Sequence, residues 1–216
     1  SEYGQKQKTE RDHIYFGTVL EHILLQNLCA FYDVGEHNEM RLHGADWNDA
    51  LDMAWEKGES VAFTCAYAGN LRNIAKTLRQ LEEISGSSKI EIAHEMEDLL
   101  AGSVELYEDA ARKQALLAGY AKKCEHNISG DTIVVRLDQL EGKPDWMMKN
   151  IRANEWVKDG EDGWFNGYYD NHGRKVEGVM DESVRMMLTG QVFAIMSGTA
   201  TEDQVESICR SADKYL

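Results

Sequence analysis

The chain has 216 residues, enough to bury a sizeable core and to make one domain or two small ones. Its formal net charge of -15, with 28% charged residues, argues against nucleic acid and anionic membrane surfaces as partners. No stretch approaches the roughly 18 consecutive apolar residues of a membrane helix, and the opening Ser1-Glu2-Tyr3-Gly4-Gln5-Lys6 has neither the apolar core nor the cleavage site of a secretory leader.

Taken in order, residues 9–32 place Tyr15, Val19, Ile23, Leu24 and Leu28 at helical spacing and predict an amphipathic helix that Gly35 ends. His22 falls in its apolar stripe and reads as a core or lining histidine. His37, Glu39 and His43 fit no recognised metal-ligand spacing, so no metal is expected. Between Asp46 and Asp52 the chain then gathers three carboxylates, a carboxamide and an indole. An indole face stacks on the apolar face of a sugar ring while Asp and Asn side chains take its hydroxyls, so Asp46-Trp47-Asn48-Asp49 is a plausible sugar clamp. A carboxyl pressed against Trp47 is partly desolvated, which raises its pKa toward that of a general acid. On spacing alone, Asp46 and Asp49 read first as caps of the helix that follows.

That helix is expected to run to about residue 83, burying Val61, Cys65, Ala68, Leu71, Ile74, Ala75 and Leu78, with small residues that admit another helix closely. Phe63 and Tyr67 read as packing. Ser88-Lys89-Ile90-Glu91 has the form of a capping box and predicts one long helix to Cys124, with Gly102 as a kink and a solvated acidic face from Glu91 to Asp109. Thr132 to Leu137 is β-branched and predicts a strand or extended connector. Pro144 suits the first turn of a helix carrying Trp146, Met147, Ile151 and Trp156. An acidic loop over residues 159–163 precedes a predicted hairpin around Asp170-Asn171-His172-Gly173. The aromatics Trp164, Phe165, Tyr168 and Tyr169 suit both sugar stacking and pinning of that hairpin to a helix. Two helices close the chain, over 183–197 and 201–216, the second opened by a Thr201 to Gln204 capping box. Cys29, Cys65, Cys124 and Cys209 are widely spaced among apolar neighbours and read as buried free thiols of a reducing, cytoplasmic compartment.

The run Gly44-Ala45-Asp46-Trp47-Asn48-Asp49, preceded by Gly35-Glu36-His37 and followed by Lys57-Gly58-Glu59-Ser60-Val61, resembles the signature of the cellobiose and chitobiose phosphorylases, glycoside hydrolase family 94. Gly163-Trp164-Phe165-Asn166-Gly167-Tyr168-Tyr169-Asp170, with Gly190-Gln191-Val192-Phe193-Ala194 and Ser197-Gly198, is similar to a second family segment. The resemblance implies that Asp49 is the general acid, that Trp47 lines a sugar subsite and that Gln191 lies near donor sugar and phosphate. It also implies a mainly α fold, about half of an (α/α)6 barrel with one β-hairpin, in which residues 1–216 are part of a single catalytic domain truncated at both ends. The Ala50-Leu51-Asp52 that follows the run departs from the common Gly-Met-Asn and bears on sugar specificity. The family's phosphate-holding segments have no counterpart here, and the last helix pattern carries no stop signal.

The expected reaction is inverting phosphorolysis of a β-linked gluco-oligosaccharide. Asp49 donates a proton, Trp47, Asp46 and Asn48 orient the sugar, and inorganic phosphate attacks as co-substrate to give an α-sugar 1-phosphate. Phosphate is already a nucleophile at neutral pH, so the second carboxylate of an inverting hydrolase is dispensable. No cofactor is expected; the partners are oligosaccharide, phosphate, the remainder of the domain and a second copy in a homodimer. The isolated piece is expected to be inactive. Two alternatives stay open: an inverting hydrolase whose base is Asp46, Asp52 or an acid outside this chain, and a non-catalytic helical module that binds sugar or a partner.

Overall fold

A computed structural model describes residues 6–43, 53–86, 90–135, 138–181 and 183–216. In chain order these form β1 (Lys8–Thr9), α1 (Val19–Tyr32), β2 (Met40–Arg41), β3 (Glu59–Ser60), α2 (Val61–Ser85), β4 (Ile90–Ala93), a 3-10 helix (His94–Leu100), α3 (Val104–Glu108), α4 (Ala110–Lys123), β5 (Asn127–Ile128), β6 (Thr132–Val135), α5 (Asp138–Asn154), β7 (Trp156–Asp159), β8 (Asp162–Phe165), β9 (Tyr168–Tyr169), β10 (Gly178–Val179), β11 (Val184–Arg185), α6 (Leu188–Ser197) and α7 (Glu202–Tyr215). Helices make up 55% of the described residues, which sets the class as mainly α. The strands pair as β1-β5, β2-β3-β9, β4-β6, β7-β8 and β10-β11, so several small sheets stand where one hairpin was expected.

Helix α2 is the axis of the packing. Ser60 caps it by accepting from Phe63 N at 3.0 Å, and Gly86 closes it in the left-handed region. It packs against α1, α5 and α6. Its small residues allow the close approach the sequence implies: a Cβ on Gly69 would meet Ser197 Cβ at 2.9 Å. Arg72 then bridges the pair, donating to Ser197 O at 2.5 Å. Ahead of the 3-10 helix, β4 pairs antiparallel with β6, Ile92 opposite Ile133. The hairpin turn is present as expected, with Asp170 N donating to Arg174 O and Val176 N to Tyr168 O.

Several sequence expectations give way. Helix α1 begins at Val19, because Thr18 Oγ1 accepts from Glu21 N at 3.0 Å and fixes the start there, while Lys8–Thr9 pairs with β5. Among the described residues 90–124 the expected long helix is replaced: Ile90 to Ala93 forms a strand, and Ser103 and Asp109 each cap a new, shorter helix. Glu95, assigned to a solvated face, is buried and accepts from Ser129 N at 2.7 Å. Pro144 lies inside α5, not in its first turn. The acidic loop is the turn of the β7-β8 hairpin, and the helix expected from residue 183 starts at Leu188 after β11. His22 is exposed, as is Cys209, whereas Cys65 is buried; all four thiols are free.

The larger core, between α1, α2, α4 and α5, contains Phe31, Tyr32, Tyr107 and partly buried Trp146. Two buried lysines sit among these rings. Lys113 Nζ lies 4.1 Å from the Phe31 centroid and donates to Asn38 Oδ1 at 2.9 Å. Lys143 Nζ lies 5.4 Å from the Tyr107 centroid and donates to the Ala101 carbonyl at 2.9 Å. Ring faces and carbonyl dipoles partly replace the lost water, yet burial still pushes each ammonium down to about 7.

A lysine whose folded pKa lies below its unfolded value holds less proton in the folded state between the two, so stability rises with pH over that window. Folding stability is therefore expected to grow from about pH 7 toward the ordinary lysine value of 10.5. Urea midpoints measured across pH 7 to 9 should rise, and Lys143→Met should flatten the slope.

Candidate active site

Asp46, Trp47, Asn48 and Asp49 lie outside the described residues, as do residues 44–52 as a whole. The structure instead describes the frame that holds both flanks of that stretch. Arg41 pairs with Glu59 and Met40 with Ser60 across β2 and β3, and Glu59 and Ser60 pair in turn with Tyr169 and Tyr168. On the first flank, Leu42 N donates to Gly58 O at 3.0 Å, and His43 Nε2 meets Asp33 Oδ2 at 2.6 Å. On the second, Met53 O accepts from Asn171 N at 2.7 Å, while Asn171 Oδ1 accepts from Glu56 N at 2.7 Å and Lys57 N at 2.9 Å. Side chains from the end of α1 and from the hairpin turn thus staple the two flanks.

Beneath this frame Glu59 is 2% exposed. Its carboxylate accepts from His37 N at 3.2 Å and Glu39 N at 3.1 Å, and pairs with His37 Nδ1 at 2.8 Å. Gly35 is required by the same contact, since a Cβ there would meet Glu59 Cδ at 2.2 Å. The His37 ring stacks on Tyr169 at 3.7 Å between centroids. Tyr169 Oη donates to Glu155 Oε1 at 2.8 Å, and Asn166 Nδ2 donates to Glu155 Oε2 at 3.1 Å. Glu39 is fully buried next to this chain of contacts; burial, with the Glu155 charge nearby, pushes its carboxyl well above the carboxylate range. Glu39 Oε2 has no hydrogen-bond partner among the described residues.

A second buried carboxylate fixes the segment after β8. Glu177 accepts from Gly167 N and Met187 N, both at 2.8 Å, and burial nonetheless pushes it up to about 8. Gln191, the one predicted site residue that the structure describes, is fully buried with both ends of its amide engaged. Its Oε1 accepts from Phe165 N at 2.8 Å and its Nε2 donates to Phe165 O at 2.7 Å and Met187 O at 3.1 Å. It occupies the edge of β8 as a strand partner would. Trp164, Phe165, Tyr168 and Tyr169 are all buried, which decides between their two readings in favour of packing.

Sequence reasoning did not assign chemistry to Glu59, Glu155 or Glu177. The signal for Glu59 lay in its place between Gly58 and the Ser60 cap, whereas Val176, Glu177 and Gly178 are all buried and give no alternation that would mark the glutamate. Glu155 carries no comparable local mark.

No family model matches the chain. The solabiose phosphorylase of Paenibacillus borealis is 25% identical to it over 202 residues, which cover 93% of this chain and 19% of that protein. The chain thus spans about a fifth of the relative's length, and the likeness is to a phosphorylase.

Replacing Glu59 by Ala leaves two buried N–H groups without acceptors and should lower folding stability by roughly 2–4 kcal/mol in chemical denaturation. Glu177 has a distinct signature. A carboxyl raised to about 8 in the fold binds more proton than the unfolded chain between 4.5 and 8, so its contribution to stability falls as pH rises through that window. Glu177→Gln should flatten this decline, read from urea midpoints between pH 5 and 7, below the range in which the buried lysines titrate.

Proposed function

We propose that this chain is the catalytic-acid segment of an inverting glycoside phosphorylase of the family 94 type, which cleaves a β-linked gluco-oligosaccharide with inorganic phosphate. The observation that carries the reading is the similarity to a phosphorylase along 93% of the chain, in agreement with the Asp46-Trp47-Asn48-Asp49 run. Asp49 protonates the glycosidic oxygen, and Trp47, Asp46 and Asn48 orient the sugar. Phosphate attacks the anomeric carbon from the opposite face, the glycosidic bond breaks with its electron pair moving to the protonated oxygen, and an α-sugar 1-phosphate leaves. Gln191 contributes by holding the backbone of Phe165, and with it the segment through Tyr169. No cofactor takes part.

The stapled flanks support this role, because a general acid must be held in register with the oxygen it protonates. The proposed architecture is part of an (α/α)6 barrel. Exposed Leu188, Val192, Ile195 and Met196 on α6, with Val19 and Ile23 on α1, supply apolar surface for neighbouring helices of the same domain. Phosphate-holding residues, a homodimer contact and a cytoplasmic setting belong to the same proposal.

In the polypeptide that carries this segment, Asp49→Asn is expected to lower phosphorolysis about 1000-fold with the circular dichroism spectrum unchanged. Release of sugar from the unsubstituted enzyme should require phosphate. Full-rate release in its absence would replace the phosphorylase by the hydrolase.

A further inference from the structure

We propose that the cavity at the start of α1 binds a small organic ammonium ion, its charge paired with Glu21 and its apolar body against Leu25 and Met96. The cavity has a volume of about 310 Å³ and lies between the first turns of α1, β4, the 3-10 helix, the end of α4 and β5. Tyr15, Tyr120 and Cys124 complete much of its lining, and it shares no residue with the frame that holds the flanks of residues 44–52.

Glu21 decides the chemistry. The residue is 6% exposed; its Oε1 accepts from Tyr15 Oη at 2.9 Å and Ala93 N at 3.1 Å, and its Oε2 accepts from Tyr15 Oη at 3.1 Å. These donors are neutral, and no lysine or arginine lines the cavity among the described residues. Burial and the Glu21 carboxylate push the Tyr15 phenol well above its ordinary value, and burial does the same to Tyr120, so both stay uncharged at neutral pH. His22, also on the lining, is exposed. A second buried carboxylate adds to the negative field: Glu95, between Ala93 and Met96 in the chain, accepts from Ser129 N at 2.7 Å and leaves Oε2 without a hydrogen-bond partner among the described residues. A carboxylate buried against apolar side chains with only neutral donors is under-compensated, and a cation in contact with it supplies the missing charge.

The other walls set the kind of cation. A metal ion needs several oxygen or nitrogen ligands, and among the described residues no group of three or more His, Cys, Asp or Glu side chains is placed to hold one. An anion meets Glu21 as like charge. A neutral apolar molecule covers the carboxylate further and gives it no counter-charge. An alkyl or aryl ammonium answers both parts of the lining. Its N–H groups donate to Glu21 in charge-assisted bonds, the Tyr15 and Tyr120 rings favour positive charge nearby, and its carbon body leaves water against Leu25 and Met96. The volume suits one ring with a short amine arm, and the field of a chain of net charge -15 draws such a cation in. The cavity uses none of the residues assigned to phosphorolysis, so either proposal can fail without the other.

The test is a calorimetric titration of the 216-residue chain with phenethylamine and, separately, with phenethyl alcohol, which has nearly the same shape and no charge. Saturable binding of one amine per chain is expected, with the alcohol at least tenfold weaker. Glu21→Gln keeps a carbonyl acceptor for Ala93 N and removes the charge; it should weaken the amine at least tenfold, and an unchanged thermal transition will show that the variant folds. Location is read without any substitution. The amine should slow iodoacetamide alkylation of half-buried Cys124 severalfold, mapped by peptide mass spectrometry, and leave the rate at exposed Cys209 unchanged. If the variant does not fold, the alcohol and the alkylation decide. No saturable binding of the amine, equal affinity for the alcohol, full amine affinity in folded Glu21→Gln, or Cys124 left unprotected overturns the site.

Discussion

The grip of Glu59 on the turn after α1 is the constraint on which the arrangement depends. One buried carboxylate satisfies His37 N, Glu39 N and the His37 imidazole, and it does so from a residue that also pairs with Arg41 and Tyr169 in the three-stranded sheet. Its neighbour Ser60 caps α2, and Thr64 in the first turn of that helix accepts from Met40 N at 2.8 Å. The entry to the longest helix, the strand pair and the turn are thus set by consecutive residues. Burying a carboxylate is unfavourable unless its lone pairs are filled, and here backbone donors with no other partner fill them.

The same economy recurs away from the site. Lys113 and Lys143 sit among aromatic rings and carbonyls, Glu155 joins Tyr169 to Asn166, and Gln191 completes the edge of β8. Short strands of two to four residues cannot bury much surface on their own. They act as joints between helices, and polar side chains complete the hydrogen bonding that longer ladders would provide.

What could be read from the residues followed the range of the interaction. The capping box of α7 is local, Thr201 with Gln204, and both halves form. The buried face of α2 repeats over many turns and was legible for the same reason. Residues 90–123 misled because Ile92 opens a helical series with Met96 and Leu99 as well as a strand alternation with Ile90. The choice is made by β6, whose partner Ile133 is distant in sequence from Ile92. Likewise the proposal for residues 46–49 rests on their types alone, whereas Glu59, Glu155 and Glu177 acquire their partners only from groups that the fold brings to them.

The two staples also make the flanks answer to distant parts of the chain. Asp33 holds His43 on one side, and Asn171 holds Met53, Glu56 and Lys57 on the other. Both endpoints are set by the end of α1 and by the hairpin turn, so a change in either of those segments shifts where the flanks sit although it lies far from them in sequence.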